Sequence, residues 1–74
     1  MENLKNLLKS LKIKKELKTI TKNNKTIYYF EGLEYSLHKI EVKLLNSLEA
    51  SKLLKNLTIE FFTNGYGILR FELN

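Results

Sequence analysis

The chain has no cysteine, proline, aspartate or tryptophan, and it holds one histidine (His38) and one arginine (Arg70). Without cysteine there is no disulfide and no thiolate zinc site, and a thiol-free chain fits a cytoplasmic setting. Without cysteine or aspartate, and with a lone histidine, the usual nucleophile–base and acid–base arrangements lack their members. The three glycines fall at expected turns rather than in a phosphate-cradling loop. Glu34, His38 and Glu41 would share one face if their segment were helical. One histidine with no supporting ligand motif reads as a solvated or core side chain, not a metal centre. No run approaches the roughly 18 apolar residues of a membrane span. The N-terminus, with a lysine every three or four residues, is no secretory signal, and without tryptophan or phenylalanine anchors it is no membrane-surface helix. The expectation is a protein without catalysis, cofactor, metal or membrane.

What is there is lysine, leucine, isoleucine and asparagine, the composition of an AT-rich genome. Seventy-four residues make one domain, taken here as residues 1–74. Such a chain buries only about 60% of the surface its unfolded form exposes, and small domains of this kind commonly add a partner subunit. Hydrophobic residues at 43% argue for a folded domain rather than a disordered tail. The charge is unevenly placed. Residues 1–25 carry eight lysines (Lys5, Lys9, Lys12, Lys14, Lys15, Lys18, Lys22 and Lys25) against two glutamates, a net of +6, whereas residues 26–74 net −1. Codon bias accounts for part of the lysine count. The clustering itself invites a polyanion.

Leu4, Leu7, Leu8 and Leu11 form a helical stripe that fails after residue 11, so a first helix ends near residue 12 or 13. Leu17–Lys22 and Lys25–Phe30 flank Asn23-Asn24 and read as a hairpin that pairs Ile20 with Ile27 and Lys22 with Lys25. Gly32 is expected to end the second strand. Residues 33–45 are two-sided: Leu33, Leu37, Ile40 and Leu44 fit a helix, while Lys39–Leu44 alternates as a strand does, and a strand is the favoured reading. Asn46 and Glu49 suggest a capping box before a stripe of Ala50, Leu53, Leu54 and Leu57. A second hairpin follows, Leu57–Phe62 and Ile68–Leu73 around Asn64-Gly65. Its alternation places Ile59, Phe61 and Ile68 on one face and Phe62, Leu69, Phe71 and Leu73 on the other. The fold class is α+β: two helices on a small antiparallel sheet, in the order α-β-β-(β)-α-β-β.

These features point to binding through a surface. The eight N-terminal lysines are candidates for a phosphate backbone, with Tyr28 and Tyr29 available to stack on bases, in a nucleic acid or nucleoprotein partner. Lysine without arginine forks favours backbone contact over base reading. The competing class is a protein inhibitor or adaptor of the kind phages and other mobile elements encode, including anti-CRISPR-type proteins, which act by occupying a surface. Two apolar faces on a short sheet further suggest a homodimer anchored by Phe62, Leu69, Phe71 and Leu73.

Overall fold

In a computed structural model, which describes residues 2–74, the chain is an α+β domain with its helices on one face of a four-stranded antiparallel sheet. The elements are α1 (Glu2–Ser10), β1 (Lys18–Lys22), β2 (Lys25–Leu33), α2 (Glu34–Leu45), α3 (Leu48–Leu53), β3 (Leu54–Phe61) and β4 (Tyr66–Leu73), and the strands lie in the order β1-β2-β4-β3. The first hairpin has the expected register: Asn23 and Asn24 take φ of 53° and 64°, the pair of left-handed residues a tight two-residue turn requires, and Ile20 faces Ile27. In the second, Gly65 takes φ of 82° and the Asn64 side chain accepts a hydrogen bond from the Tyr66 N–H at 3.1 Å.

Three expectations are corrected. Residues 34–45 are helical, not a strand, so the possible fifth strand is absent. Leu37, Ile40 and Leu44 are buried while Val42, which a strand would have placed beside Ile40, is 54% exposed. The first turn of α2 has no side-chain cap; the Glu34 N–H donates instead to the Gly65 carbonyl of the distant β3–β4 turn, at 3.0 Å. Gly32 does not end β2, which runs through Leu33 with Gly32 opposite Gly67. The helical stripe expected to continue through Leu54 and Leu57 stops at Leu53. Ser47, not Asn46, caps α3 by accepting from Ala50 N at 3.2 Å, and the chain is extended from Leu54.

The faces of the second hairpin are also corrected. The pairing of Ile59 with Leu69 and of Phe61 with Gly67 puts Ile59, Phe61, Leu69, Phe71 and Leu73 on the helix-covered face, and Ile68 on the other. The single core gathers Leu4, Leu7, Tyr28, Phe30, Leu37, Ile40, Leu44, Ala50, Leu54, Leu69 and Phe71. At Gly67 both α2 and β3 come close to β4: a Cβ there would stand 2.6 Å from the Glu60 carbonyl oxygen and 3.2 Å from Leu37 Cδ1.

α1 closes with a left-handed residue. Lys12 has φ of 59°, its N–H donates to the Lys9 carbonyl at 3.1 Å, and the Ile13 N–H reaches back to Leu8 at 2.9 Å. That is the Schellman arrangement, with lysine where glycine is usual. Ile13 then packs against the core, as the residue after such a cap commonly does.

Candidate functional site

Because α1, α2 and α3 all pack on one side of the sheet, the other side is uncovered. A strand turns successive side chains to opposite faces, so the register specifies what the uncovered face displays. Lys18, Tyr29, Arg70 and Thr58 lie in one cross-strand row. Ile20 faces Ile27 in the next row toward the β1–β2 turn, and Lys22 faces Lys25 beyond it. In the opposite direction come Glu31, Ile68 and Glu60, and then Leu33 beside Tyr66. Phe62 joins that last row through its N–H to the Tyr66 carbonyl, at 2.7 Å.

The basic groups of this face mostly meet carboxylates. Lys18 hydrogen-bonds Glu31, which raises the Lys18 pKa above its ordinary value. Arg70 Nη2 lies 3.0 Å from Glu60 Oε1, and Lys25 Nζ lies 3.9 Å from Glu72 Oε1. The hairpin tip is least compensated: Lys22 and Lys25 sit directly opposite each other, and Lys25 alone has a carboxylate within reach, at the limit of ion-pair distance.

The eight N-terminal lysines do not form one surface. Lys5 and Lys9 are exposed on α1, on the helix side of the molecule. Lys12 and Lys14 are exposed in and beyond the α1 cap, and the Lys12 carbonyl accepts a hydrogen bond from Lys43 Nζ at 3.3 Å. The Lys15 side chain is half-buried and lies against Gly32, in the space a Cβ there would fill. Only Lys18, Lys22 and Lys25 reach the uncovered face. The two candidate tyrosines separate as neighbours in a strand must. Tyr29 is half-exposed on the uncovered face, whereas Tyr28 is 5% exposed in the core, its ring stacked on Phe71 with centroids 5.8 Å apart. Tyr28 is therefore withdrawn as a stacking residue.

Of the proposed interface anchors, Leu69 and Phe71 are completely buried within the chain and Leu73 is packed against the same core. Phe62 alone is free to meet a partner, at 46% exposure. Sequence reasoning missed Arg70, Lys55, Ile20, Ile27 and Tyr66 as members of the uncovered face. The alternation of Tyr66–Leu73 carried the signal for Arg70, but the assignment of faces did not.

Glu34, His38 and Glu41 do share a face of α2. His38 Nε2 is 3.7 Å from Glu34 and Nδ1 is 3.3 Å from Glu41, with the ring centroid 4.9 Å from that of Phe61. The two imidazole nitrogens address different carboxylates in exposed polar contacts on the helix surface; no metal-holding group of three such side chains occurs among the described residues. No helix among them is long and apolar enough to cross a membrane.

Comparisons with protein-family models, curated proteins and solved structures find no match to this chain. The functional reading therefore rests on the chemistry of the uncovered face.

Proposed function

We propose that this is a small non-enzymatic binding protein whose uncovered sheet face, led by the basic β1–β2 hairpin, contacts the phosphate backbone of a nucleic acid or nucleoprotein. One observation carries the reading: Tyr29 sits on that face between two cations, Lys18 and Arg70, with Lys22 and Lys25 further along the same hairpin. An aromatic ring flanked by backbone-tracking charge is the arrangement single-stranded nucleic acids use, stacking a base while phosphates meet the cations. The carboxylates on Lys18 and Arg70 are poor competitors, because exposed ion pairs contribute little and a phosphate can take their place.

The test is fluorescence anisotropy with short oligo(dT) and oligo(U) at low and physiological salt. Binding that weakens steeply with salt, and weakens further in Lys22→Gln/Lys25→Gln, is expected. Salt-independent or absent binding overturns the reading.

A second reading is a protein inhibitor or adaptor of the phage type. It is favoured by the apolar end of the same face, where Leu33, Phe62 and Tyr66 are 41%, 46% and 50% exposed. A stoichiometric protein partner retained at high salt would select it. Self-association through that end would appear as a dimer by light scattering, diminished by Phe62→Ser.

A further inference from the structure

β1 and β2 are unequal. β1 has five residues and β2 nine, and their register ends at Lys18 opposite Tyr29. Residues 30–33 of β2 therefore have β4 on one side and no strand on the other. In an antiparallel ladder the backbone N–H and C=O groups of alternate residues point to the same neighbour, so this stub presents a short row of strand-pairing groups to a groove. The groove has a volume of about 580 Å³ and is lined by Lys15, Glu16, Lys18, Glu31, Leu33 and Tyr66 among others, two cations and two carboxylates of which Lys18 and Glu31 pair with each other.

The other sheet edges are guarded. β1 is short and bounded by Lys18 and Lys22, and β3 is broken by an irregularity between Lys55 and Thr58, with Asn56 at φ of 56°. Short strands, lysines and bulges are the devices that keep an edge from pairing.

We propose that the free edge of β2 at residues 30–33 is a docking slot for a short extended peptide of a partner protein, alternating apolar and acidic residues, which adds to the sheet in line with β1. Backbone complementarity selects an extended strand. Residues directly opposite in an antiparallel pair share a face, so alternation follows from the two sides of the slot. The peptide residue opposite Leu33 lies on the uncovered face beside Leu33 and Tyr66, which are exposed and apolar. The residue opposite Gly32 lies on the helix side, beside Lys15 and Ser36. Glu31 is taken by Lys18, and among the described residues Lys15 has no carboxylate at ion-pair distance, so an acidic peptide side chain beside Lys15 supplies its countercharge. Leu17 follows Lys18 directly, so the room in line with β1 lies opposite residues 31–33, about 10 Å or three peptide residues.

The probe is acetyl-(Glu-Val)3-amide, titrated into isotope-labelled protein and followed by amide resonances, with acetyl-(Lys-Val)3-amide as control. Expected are saturable shifts centred on Glu31, Leu33 and Lys15, slowed hydrogen exchange at the Glu31 and Leu33 amides, and no response to the lysine peptide. N-methylation of alternate peptide bonds on the pairing edge should weaken binding at least about tenfold, the effect of losing one or two backbone hydrogen bonds. Lys15→Glu should reverse the preference between the two peptides, and a near-native amide spectrum establishes that this variant folds. No shift at millimolar peptide, shifts centred elsewhere, or equal binding of the N-methylated peptide each overturn the proposal. Because nucleic acid is absent from this experiment, its result is independent of the oligonucleotide titration.

Discussion

Tyr28 and Tyr29 are consecutive residues of the same type whose replacement is expected to have opposite consequences. Tyr28 is 5% exposed and stacks on Phe71, which is itself fully buried. Truncating a buried aromatic costs about 3–5 kcal/mol, and the lost ring–ring contact belongs to that cost. A domain of 74 residues holds about 4–11 kcal/mol in total at typical stability per residue, so Tyr28→Ala removes about a quarter of it at least and unfolds a marginal domain. Tyr29 is half-exposed, and its neighbours across the strands are the exposed side chains of Lys18 and Arg70. Cross-strand pairs of this kind contribute about 0.2–1 kcal/mol each, so Tyr29→Ala is expected to lower stability by about 1 kcal/mol. Stacking on a base is worth about 1–3 kcal/mol by alanine substitution, so the same variant should bind a single-stranded oligonucleotide about 5- to 150-fold more weakly. Urea unfolding followed by far-ultraviolet circular dichroism measures the first quantity, and oligonucleotide anisotropy the second. The absence of tryptophan also leaves tyrosine emission directly readable; its quenching by ligand should fall in Tyr29→Phe and Tyr29→Ala alike, while Tyr29→Phe should keep more of the affinity because it keeps a ring to stack. Equal destabilisation by the two alanine variants would refute the assignment of faces. A stable Tyr29→Ala that binds like the parent would refute the uncovered face as the contact surface.

Gly67→Ala should destabilise by about 1–3 kcal/mol, the range for overpacking, because its Cβ would meet the Glu60 carbonyl and Leu37; a denaturant midpoint unchanged from the parent would contradict the close approach of α2 to β4. Lys12→Gly should raise stability by about 0.5–1 kcal/mol, since glycine takes the left-handed cap conformation without the strain lysine carries, and calorimetry showing a lower Tm would count against it. Lys22→Gln/Lys25→Gln removes like charges that face each other, so stability should be unchanged or slightly higher, while each lost phosphate contact lowers the slope of log K against log salt by about 0.7–0.9. The matched control is Lys5→Gln/Lys9→Gln on α1, across the molecule from that face, which should leave the slope near the parent value.

Local chemistry made much of the fold readable. The Asn-Asn turn determined the register of the first hairpin, because few residues tolerate positive φ and a two-residue turn leaves the strands one register, and the Asn-Gly turn located the second hairpin without its register. The α1 stripe and its end were legible for a similar reason: Lys15 would have entered the apolar face. Where reading failed, the decisive contact came from elsewhere in the chain. Residues 34–45 alternate as a strand would, and α2 has no cap of its own in sequence, because the Glu34 N–H is satisfied by the Gly65 carbonyl some thirty residues on. Leu54 and Leu57 continue a helical stripe on paper, yet both face the core as parts of a strand interrupted by Asn56. The parity of Phe62 relative to Leu69 depends on where the turn begins, and one residue of slip exchanges every side chain between the faces. That slip assigned Leu69 and Phe71 to a partner when they belong to the core.

The candidate site was less legible, because clustering along a chain is not clustering in space. The helix packs on one side of this sheet while the edge strand turns Lys18 and Lys22 to the other, and the +6 of the first 25 residues is divided among the helix, the loop after it and the strand. On the uncovered face Lys18, Lys22, Lys25, Lys55 and Arg70 stand against Glu31, Glu60 and Glu72, a net of +2. The distribution along the strands matters more than the sum. The charge least matched lies at the Lys22–Lys25 tip, and the exposed apolar side chains Leu33, Phe62 and Tyr66 lie at the other end. Eight residues of β2 separate Lys25 from Leu33, about 27 Å of extended chain. A polyanion at the tip and an extended peptide at the stub would therefore occupy separate ends of one rigid sheet and need not exclude one another. The exposed pairs Lys18–Glu31 and Arg70–Glu60 lie between the two ends, and screening keeps charge at one end from reaching the other: the Debye length near physiological salt is about 8 Å. Under the proposed function, a nucleoprotein, which presents phosphate and polypeptide together, is the class of partner that would use both ends at once. On such a target the two contacts act as linked modules, whose joint affinity exceeds that of either alone when the spacing of phosphate and peptide matches the length of the sheet.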